Sequence, residues 1–198
     1  MDAGPIVSQK VCSIDENDTA TTVLPNLFEI GTSCLLDVLP DVITGKITID
    51  TAAVQDEELV VNADMIHSSE GELRVWEESA KDCHNKARGF SMWPGTFLYF
   101  QLLDEDDNRN NKIDLESLKV KVISSRVLEE YSEEKTQEVT LGPNKGDGLR
   151  IVCGDGSVLE LLTIQPATRK SMDAKSFCNG LRGKRIQWVN MEAKQVSY

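Results

Sequence analysis

The sequence contains no apolar run close to the roughly 18 residues that indicate a membrane span. Its longest apolar stretches, such as Val120–Ile123 and Val158–Ile164, are short and either β-branched or interrupted by charge. Residues Met1 to Pro5 carry neither a basic region nor an apolar signal core. We therefore expect no membrane partner, and these residues do not indicate a compartment.

Cysteine pairs with metal-binding or redox spacing are also missing. The five cysteines stand at positions 12, 34, 83, 153 and 178, and no two have CxxC spacing. An odd, scattered set argues against a disulfide framework and against a zinc knuckle. We expect small buried hydrophobic residues in a reducing compartment, and no metal site.

One acidic segment, Asp106–Asp114, resembles a calcium-binding loop in the spacing of its oxygen side chains. Its sixth position is Asn111 instead of glycine, and its twelfth is Ser117 instead of a bidentate glutamate. The segment is therefore predicted to be an acidic hairpin insertion between two strands.

Positive charge is scarce except at the C-terminal end. The net charge is −12, with 33 acidic and 21 basic residues. From Arg169 onward, however, seven basic residues oppose two acidic ones, so this segment carries +5 and residues 1–168 carry −17. Such asymmetry indicates either an anionic partner for that segment or a solvated basic terminus. The basic residues are Arg169, Lys170, Lys175, Arg182, Lys184, Arg185 and Lys194.

The N-terminal half has mixed patterning. Alternation predicts a strand at Ile6–Val11, and a helical stripe over Thr22–Leu39 is broken near Gly31 and ended by Pro40. Ile43–Asn62 has little pattern and is predicted to be a linker. Ser79–Phe90 is predicted to be a helix capped by Ser79.

After Trp93-Pro94-Gly95 the pattern becomes that of short strands separated by turn clusters, which is typical of a small closed or nearly closed barrel. A short helix and a basic strand follow at Ala174–Asn179 and Ile186–Val189. The turn Gly154-Asp155-Gly156 is predicted to close a hairpin. The predicted barrel strands are Thr96–Leu103, Leu118–Val127, Gln137–Thr140, Gly148–Cys153 and Val158–Ile164.

Several segments, in order, resemble the methionyl-tRNA formyltransferase family. The N-terminal segment resembles the family's "DxGPI…Q" turn, and the middle of the chain its "EG…W…A…N.xRxFxxWPG" stretch. Residues from Gly154 to Gly180 resemble the barrel's closing "GDG…L…LQPxGKxxM…F.NG" stretch. The matching residues are Asp2, Gly4, Pro5, Ile6, Gln9, Glu70, Gly71, Trp76, Ala80, Asn85, Arg88, Phe90, Trp93, Pro94, Gly95, Gly154, Asp155, Gly156, Leu159, Leu161, Gln165, Pro166, Lys170, Met172, Phe177, Asn179 and Gly180.

This resemblance implies an α+β chain in which a strand–helix remnant of a Rossmann-like formyltransferase domain (1–45) and a linker (46–69) precede a C-terminal OB-like barrel (70–198). The family transfers a formyl group from 10-formyltetrahydrofolate to methionyl-tRNA in translation initiation, and the barrel helps to hold the tRNA. It implies a mitochondrial or plastid matrix location in a eukaryote and a cytoplasmic one in a bacterium. We expect a monomer with initiator methionyl-tRNA as partner and no cofactor bound by this chain itself.

The family's catalytic trio is an Asn, a His and an Asp, of which only the Asp has a match, Asp2. The histidines, His67 and His84, match no catalytic position. Formyl transfer passes through a tetrahedral oxyanion that needs a hydrogen-bond donor, and the attacking amine needs a base. Asp2 without those partners is expected to be a solvated acid, so this chain alone is predicted to be inactive. A start at an internal methionine, in an isoform or a gene model, is the expected reason.

By the same resemblance, the predicted tRNA-binding residues lie along one rim of the barrel and contact phosphates. They are Arg169, Lys170, Lys175, Arg182, Lys184 and Arg185. Trp188 and Trp93 could stack on a base, but a tryptophan next to Pro94 and Gly95 is usually packed, so we expect core packing instead.

Two other functions remain open. The chain could be a non-catalytic barrel module that binds tRNA or a protein. It could also belong to a sugar-nucleotide formyltransferase or a formyl-folate hydrolase, whose catalytic domains are related. The run Gln165-Pro166…Lys170…Met172 favours the tRNA enzyme over a sugar-nucleotide formyltransferase and over a formyl-folate hydrolase.

Overall fold

The computed structural model describes residues 4–59, 61, 63–103 and 117–191. They belong to two compact units, Met1–Met65 and Ile66–Tyr198. The predicted acidic hairpin at Asp106–Asp114 and the predicted catalytic remnant Asp2 lie outside the described residues.

The first unit is built around one long helix, α1 (Ala20–Ile43). The helix begins at Thr19, whose backbone N–H donates to the hydroxyl of Thr22 at 3.0 Å. The prediction that it breaks near Gly31 and ends at Pro40 is wrong, because α1 continues through both residues. Pro40 removes a single helical hydrogen bond, and its carbonyl still accepts from the backbone N–H of Thr44 at 3.0 Å.

Glycine, not proline, ends α1. Gly45 has a φ of +73°, in the left-handed region. Its N–H donates to the carbonyl of Val42, and the N–H of Lys46 donates to the carbonyl of Asp41 at 2.9 Å. This pair of bonds is the Schellman motif, which satisfies the last carbonyls of a helix.

The predicted strand Ile6–Val11 is also wrong. Ile6 makes a single antiparallel bridge with Ala53, in which the two residues exchange backbone hydrogen bonds of 2.7 and 3.1 Å. Val11 is 94% exposed. Alternating residues form a strand only where a partner strand pairs with them, and within the described part of the first unit no named strand is present.

Helix α1 buries none of its residues within the described chain. By length and composition alone it could cross a membrane, since it has 24 residues and a mean hydropathy of 1.2 in its most apolar window. Glu29, Asp37 and Asp41 interrupt its apolar residues, which is typical of an amphipathic helix that packs on protein. The exposed large apolar side chains are Leu24, Leu27, Phe28, Leu35, Leu36, Leu39, Val42 and Ile43.

The second unit is a closed antiparallel barrel with three helical segments. A 3-10 turn at Ser68–Gly71 and the helix α2 (Ala80–Gly89) precede the first strand. Ser79 caps α2 as predicted, accepting from the backbone N–H of Asp82 at 3.0 Å. The strands are β1 (Thr96–Leu103), β2 (Leu118–Tyr131), β3 (Glu138–Leu141), β4 (Leu149–Val152), β5 (Ser157–Pro166), β6 (Met172–Asp173) and β7 (Arg185–Val189), with the helix α3 (Ala174–Gly180) before β7.

Six of these strands form a ring in the order β2-β1-β7-β3-β4-β5, and pairing between β5 and β2 closes it. Every neighbouring pair is antiparallel. The predicted barrel and all five of its predicted strands are therefore confirmed, as are the hairpin turn at Gly154–Gly156 and the C-terminal helix and strand. The two-residue strand β6, which pairs with β5, was not predicted.

Strand polarity defines the two ends of the barrel. Strands β1, β3 and β5 finish at the end where β2, β4 and β7 begin, and we call this the crossover end. Helix α2 packs on β2 and β5, and the hydroxyl of Ser157, where β5 begins, accepts from the N–H of Ala80 at 2.8 Å. This places α2 at the opposite end, whereas α3 joins β6 to β7 at the crossover end.

The core fills the barrel with side chains that alternate inward along each strand. Leu98, Phe100 and Val120 face Leu161 and Ile164, each at most 2% exposed. From α3, Phe177 reaches into the same cluster and contacts Phe100, with ring centroids 6.1 Å apart. The barrel interior is therefore packed and leaves the outer surface and the ends for function.

One carboxylate is buried among these strands. Glu160, at 0% exposure, accepts a hydrogen bond from Nε of Arg126 and another from the backbone N–H of Gly148 at 3.0 Å. The Glu160 oxygen that accepts from Gly148 also lies 3.7 Å from Nε of Arg150. A buried carboxylate needs such partners, because an unpaired charge in the interior is strongly destabilising.

We predict that Glu160→Gln lowers the free energy of unfolding by about 1–3 kcal/mol, because the amide cannot satisfy both arginines and the Gly148 N–H. The midpoint of urea unfolding measures this. Glu130→Gln is the matched control, since Glu130 pairs with Arg150 at the surface with its side chain 58% exposed. The control should change stability by less than about 0.5 kcal/mol. Equal effects of the two substitutions would contradict the assigned role of Glu160.

Candidate nucleic-acid interface

The connection from β5 to β7 carries the predicted tRNA-binding residues. Residues 167–184 run from the end of β5 through β6 and α3 to the start of β7. Because β5 and β7 lie opposite each other in the six-strand ring, this connection spans the crossover end of the barrel. All six predicted residues lie on it or at the first position of β7, and all are exposed: Arg169, Lys170, Lys175, Arg182, Lys184 and Arg185.

Local structure holds this connection in place. Asp173 caps α3 by accepting from the N–H of Ser176 at 2.7 Å, and this bond lowers the pKa of the Asp173 carboxyl. Ala174 and Phe177 are buried beneath it. Arg182, with a φ of +54°, and Gly183 form the turn that leads into β7. The basic side chains therefore project from an anchored segment.

Most of these cations have no acidic partner nearby. Arg169, Lys170, Lys175 and Arg182 form no ion pair with another described residue. Unpaired exposed cations on one end of a domain suit phosphate contacts, which provide affinity and are weakened by salt.

Arg185 differs from the other five. Its Nε and Nη2 donate to the two carboxylate oxygens of Glu138 at 2.6 and 2.5 Å. This bidentate pair joins β7 to β3 across the barrel surface and lowers the pKa of the Glu138 carboxyl. Arg185 is therefore held by a structural contact and is a weaker candidate for a phosphate.

Both histidines have local structural contacts. The Nδ1 of His84 and the hydroxyl of Ser125 share a hydrogen bond of 3.0 Å that joins α2 to β2. The backbone N–H of His67 donates to the side chain of Glu70 at 2.6 Å, at the start of the 3-10 turn. These contacts join α2 to β2 and hold the start of the 3-10 turn.

The two tryptophans expected in the core, Trp93 and Trp188, differ in their exposure. Trp188 is 8% exposed and stacks on Trp76, with ring centroids 6.1 Å apart and an interplanar angle of 26°. Trp93 is 59% exposed, so the expectation that it packs in the core is wrong. The backbone of the turn at Pro94 and Gly95 packs instead on the 3-10 turn, since a Cβ on Gly71 would lie 2.2 Å from the carbonyl oxygen of Gly95.

The sequence analysis missed two exposed lysines on β2, Lys119 and Lys121. They alternate with the buried residues Val120 and Val122, which places both on the outer face of the barrel. The alternation Lys-Val-Lys-Val was visible in the sequence. What it could not show is that this strand runs beside Pro166 and Ala167, next to the predicted Arg169 and Lys170.

Comparison with known proteins gives one family match. The family model described as "Formyl transferase, C-terminal domain" matches residues 65–182. Similar proteins include a methionyl-tRNA formyltransferase of Listeria innocua, 32% identical over 91% of this chain and 51% of that protein. Those of Lactococcus lactis subsp. cremoris and Methylococcus capsulatus are 30% and 28% identical, each over 94% of this chain and over 52% and 54% of their own length. The chain thus spans about half the length of these relatives.

We predict that Arg185→Gln raises the pKa of the Glu138 carboxyl toward its ordinary value, because the bidentate pair is what lowers it. Since the native pKa is below the ordinary value, the pair stabilises the fold at neutral pH, and its contribution is lost as the pH falls through the native pKa. Carboxyl chemical shifts in an NMR titration measure this pKa. Lys175→Gln, an exposed charge loss elsewhere, should leave it unchanged; an equal rise in both variants would show that Arg185 has no specific role.

Proposed function

Because the chain belongs to the formyl transferase family and contains that family's C-terminal domain, we propose that it is the tRNA-holding part of a methionyl-tRNA formyltransferase. The whole enzyme would transfer a formyl group from 10-formyltetrahydrofolate to initiator methionyl-tRNA. The basic β5–β7 connection carries this proposal. In a chain of net charge −12, four cations without ion pairs among the described residues project from one end of the barrel.

The run that favours the tRNA enzyme over the two related enzymes helps to hold the β5–β7 connection. The side-chain amide of Gln165 donates to the carbonyl of Arg169 at 2.8 Å. Ala167 donates its backbone N–H to the carbonyl of Lys119, and Met172 pairs with Ile164. The run Gln165-Pro166…Lys170…Met172 thus fixes the loop that presents Arg169 and Lys170. This role supports the tRNA enzyme over a sugar-nucleotide formyltransferase or a formyl-folate hydrolase.

Helix α1 supports a protein-binding role for the first unit. Eight of its large apolar side chains are exposed within the described chain, and exposed apolar patches mark interaction surfaces. Since the relatives are about twice as long, we propose that the remainder of a formyltransferase catalytic domain covers this face. A barrel module that binds another protein is the second candidate function, and the same face favours it.

The interface proposal predicts salt-dependent binding of initiator methionyl-tRNA by the purified chain. With three phosphate contacts, affinity should fall about 40-fold between 50 and 200 mM salt. Replacing both Arg169 and Lys170 with glutamine should reduce the slope of log affinity against log salt by about 2. Fluorescence anisotropy with labelled tRNA measures both effects.

The double variant Lys81→Gln/Lys135→Gln is the matched control. It removes the same charge from α2 and from the β2–β3 loop, at the opposite end of the barrel. It should keep the parent slope. Binding that is insensitive to salt, or equally weakened in both double variants, would contradict a tRNA interface at the crossover end.

We also predict that residues 1–198 alone form no formyl-methionyl-tRNA. The oxyanion intermediate needs a donor and the amine needs a base, and the family's Asn and His have no match among these residues. Acid gel electrophoresis of methionyl-tRNA incubated with the chain and 10-formyltetrahydrofolate measures formylation. A methionyl-tRNA formyltransferase of one of the similar bacteria serves as positive control. Formylation by the purified chain would contradict this prediction. Formylation that persists in Asp2→Asn would show that another residue supplies the chemistry.

A further inference from the structure

The outer wall of the barrel next to the β5–β7 connection combines aromatic and basic side chains. Strand register places Phe97 opposite Lys121 and Tyr99 opposite Lys119. Lys121 in turn lies opposite Gln165 on β5. The intervening residues of all three strands point into the core, so these five side chains share one outward face.

A pocket of about 320 Å³ opens on this face. The 3-10 turn and the start of β1 form one side of it, and the loop after β5 forms the other. That loop is held against β2 by the hydrogen bond of 3.0 Å from Ala167 to Lys119, and Thr168 has a φ of +65°. The lining residues are Ser68, Pro94, Gly95, Thr96, Phe97, Lys119, Lys121, Gln165, Pro166, Ala167 and Thr168.

Both lysines are positioned by the surface around them. Nζ of Lys119 lies 3.5 Å from the ring centroid of Phe97 and 5.9 Å from that of Tyr99. The stem of Lys121 crosses Gly95 so closely that a Cβ there would lie 2.7 Å from Cε. Fixed side chains lose less freedom when a ligand binds, so two positioned ammonium groups favour anion binding.

No ion pair within the described part of the chain neutralises these two charges. Neither Lys119 nor Lys121 forms an ion pair with a described residue, although the sequence has 33 acidic residues. Burial raises the pKa of the Tyr99 hydroxyl, and the nearby Glu72 raises it further, so Tyr99 adds no negative charge at neutral pH. Arg169 and Lys170 follow Thr168 directly and add two cations beside the pocket.

An exposed aromatic residue immediately precedes the pocket lining along the chain. Trp93 precedes the lining residue Pro94 and is 59% exposed. An exposed tryptophan beside ammonium groups is the combination that binds single-stranded nucleic acid, since bases stack on the ring while cations hold the phosphates. Bases within a duplex are already stacked and cannot use such a ring.

We propose that this pocket is a nucleotide-binding site for single-stranded RNA, in which Lys119 and Lys121 hold a phosphate and Trp93 stacks on an adjacent base. The identity of that RNA as an unpaired segment of methionyl-tRNA rests on the proposed function. The pocket extends the interface from the crossover end onto the outer wall of β1, β2 and β5. It assigns a role to residues that the C-terminal basic segment does not include.

The test measures binding of hexaadenylate RNA to the purified chain by tryptophan fluorescence and by anisotropy. Trp188 is buried and Trp76 stacks on it, so quenching should come from Trp93 and disappear in Trp93→Phe. Lys119→Gln/Lys121→Gln should weaken binding at least about tenfold at 100 mM salt. Trp93→Ala should weaken it about fivefold or more. The control Lys81→Gln/Lys135→Gln should stay within about twofold of the parent chain, and circular dichroism should show all variants folded.

Three results would overturn the proposal. These are no binding of hexaadenylate at 50 mM salt, parent-like affinity of Lys119→Gln/Lys121→Gln, or a six-base-pair RNA duplex that binds as tightly as the single strand. Methionyl-tRNA separates the two levels of inference. If hexaadenylate binding does not depend on the two lysines while tRNA binding depends on Arg169 and Lys170, the pocket proposal fails and the proposed function stands. If hexaadenylate binding depends on the lysines but tRNA does not bind, the pocket stands and the proposed function fails.

Discussion

The pairing of β2 with β5 is the constraint on which the second unit depends. Strand β2 is 14 residues long and pairs with β1 along its first five residues and with β5 along nearly its whole length. Register shifts between Val122 and Ser124, and between Leu128 and Tyr131, bend β2 so that it reaches both neighbours. Without this pairing the six strands would be an open sheet, and the core between Val120 and Leu161 would face water.

Closure also decides where functional side chains lie. In an antiparallel ring, the segments that join strands must emerge at one of two ends, so the β5–β7 connection and its cations lie together at the crossover end. The same pairing brings Gln165 beside Lys121 and fixes the loop after β5 next to Lys119. The basic connection and the aromatic pocket are therefore consequences of a single strand pairing.

The strands were predictable from the sequence because each carries its own signal. Alternation and flanking turns identified β1 with its observed bounds, Thr96–Leu103, without knowledge of its neighbours. The strand predicted at Ile6–Val11 has similar alternation but no partner strand in the described part of its unit, and a sequence pattern does not reveal pairing. The sequence predicts an end of α1 at Pro40, but a proline removes only one helical hydrogen bond, and the helix ends instead before Gly45, which lies in the left-handed region.

The site was less predictable than the fold. Charge counting found the cations from Arg169 onward, because they cluster in one segment of the sequence and differ from the acidic remainder. It could not find the pocket, whose residues come from three separate segments, near Pro94, Lys119 and Gln165. Trp93 was misassigned for a related reason, since its neighbours Pro94 and Gly95 do pack on the barrel while the ring itself stays outside.

The net charge describes this surface poorly, because carboxylates pair with some of its cations and leave others without an ion pair among the described residues. Arg126 and Arg150 form ion pairs with Glu160, Asp147 and Glu130. Arg185 forms an ion pair with Glu138. These cations therefore stabilise the barrel and contribute little to the external electric field. The cations that remain without ion pairs in the described barrel include Lys119, Lys121, Arg169 and Lys170, which lie along one continuous part of it. An anionic partner would be repelled by the net negative charge of the chain at distances near a Debye length and attracted by these cations at closer range. Such a charge distribution contributes less to the affinity for a polyanion than to the position and orientation in which the polyanion binds.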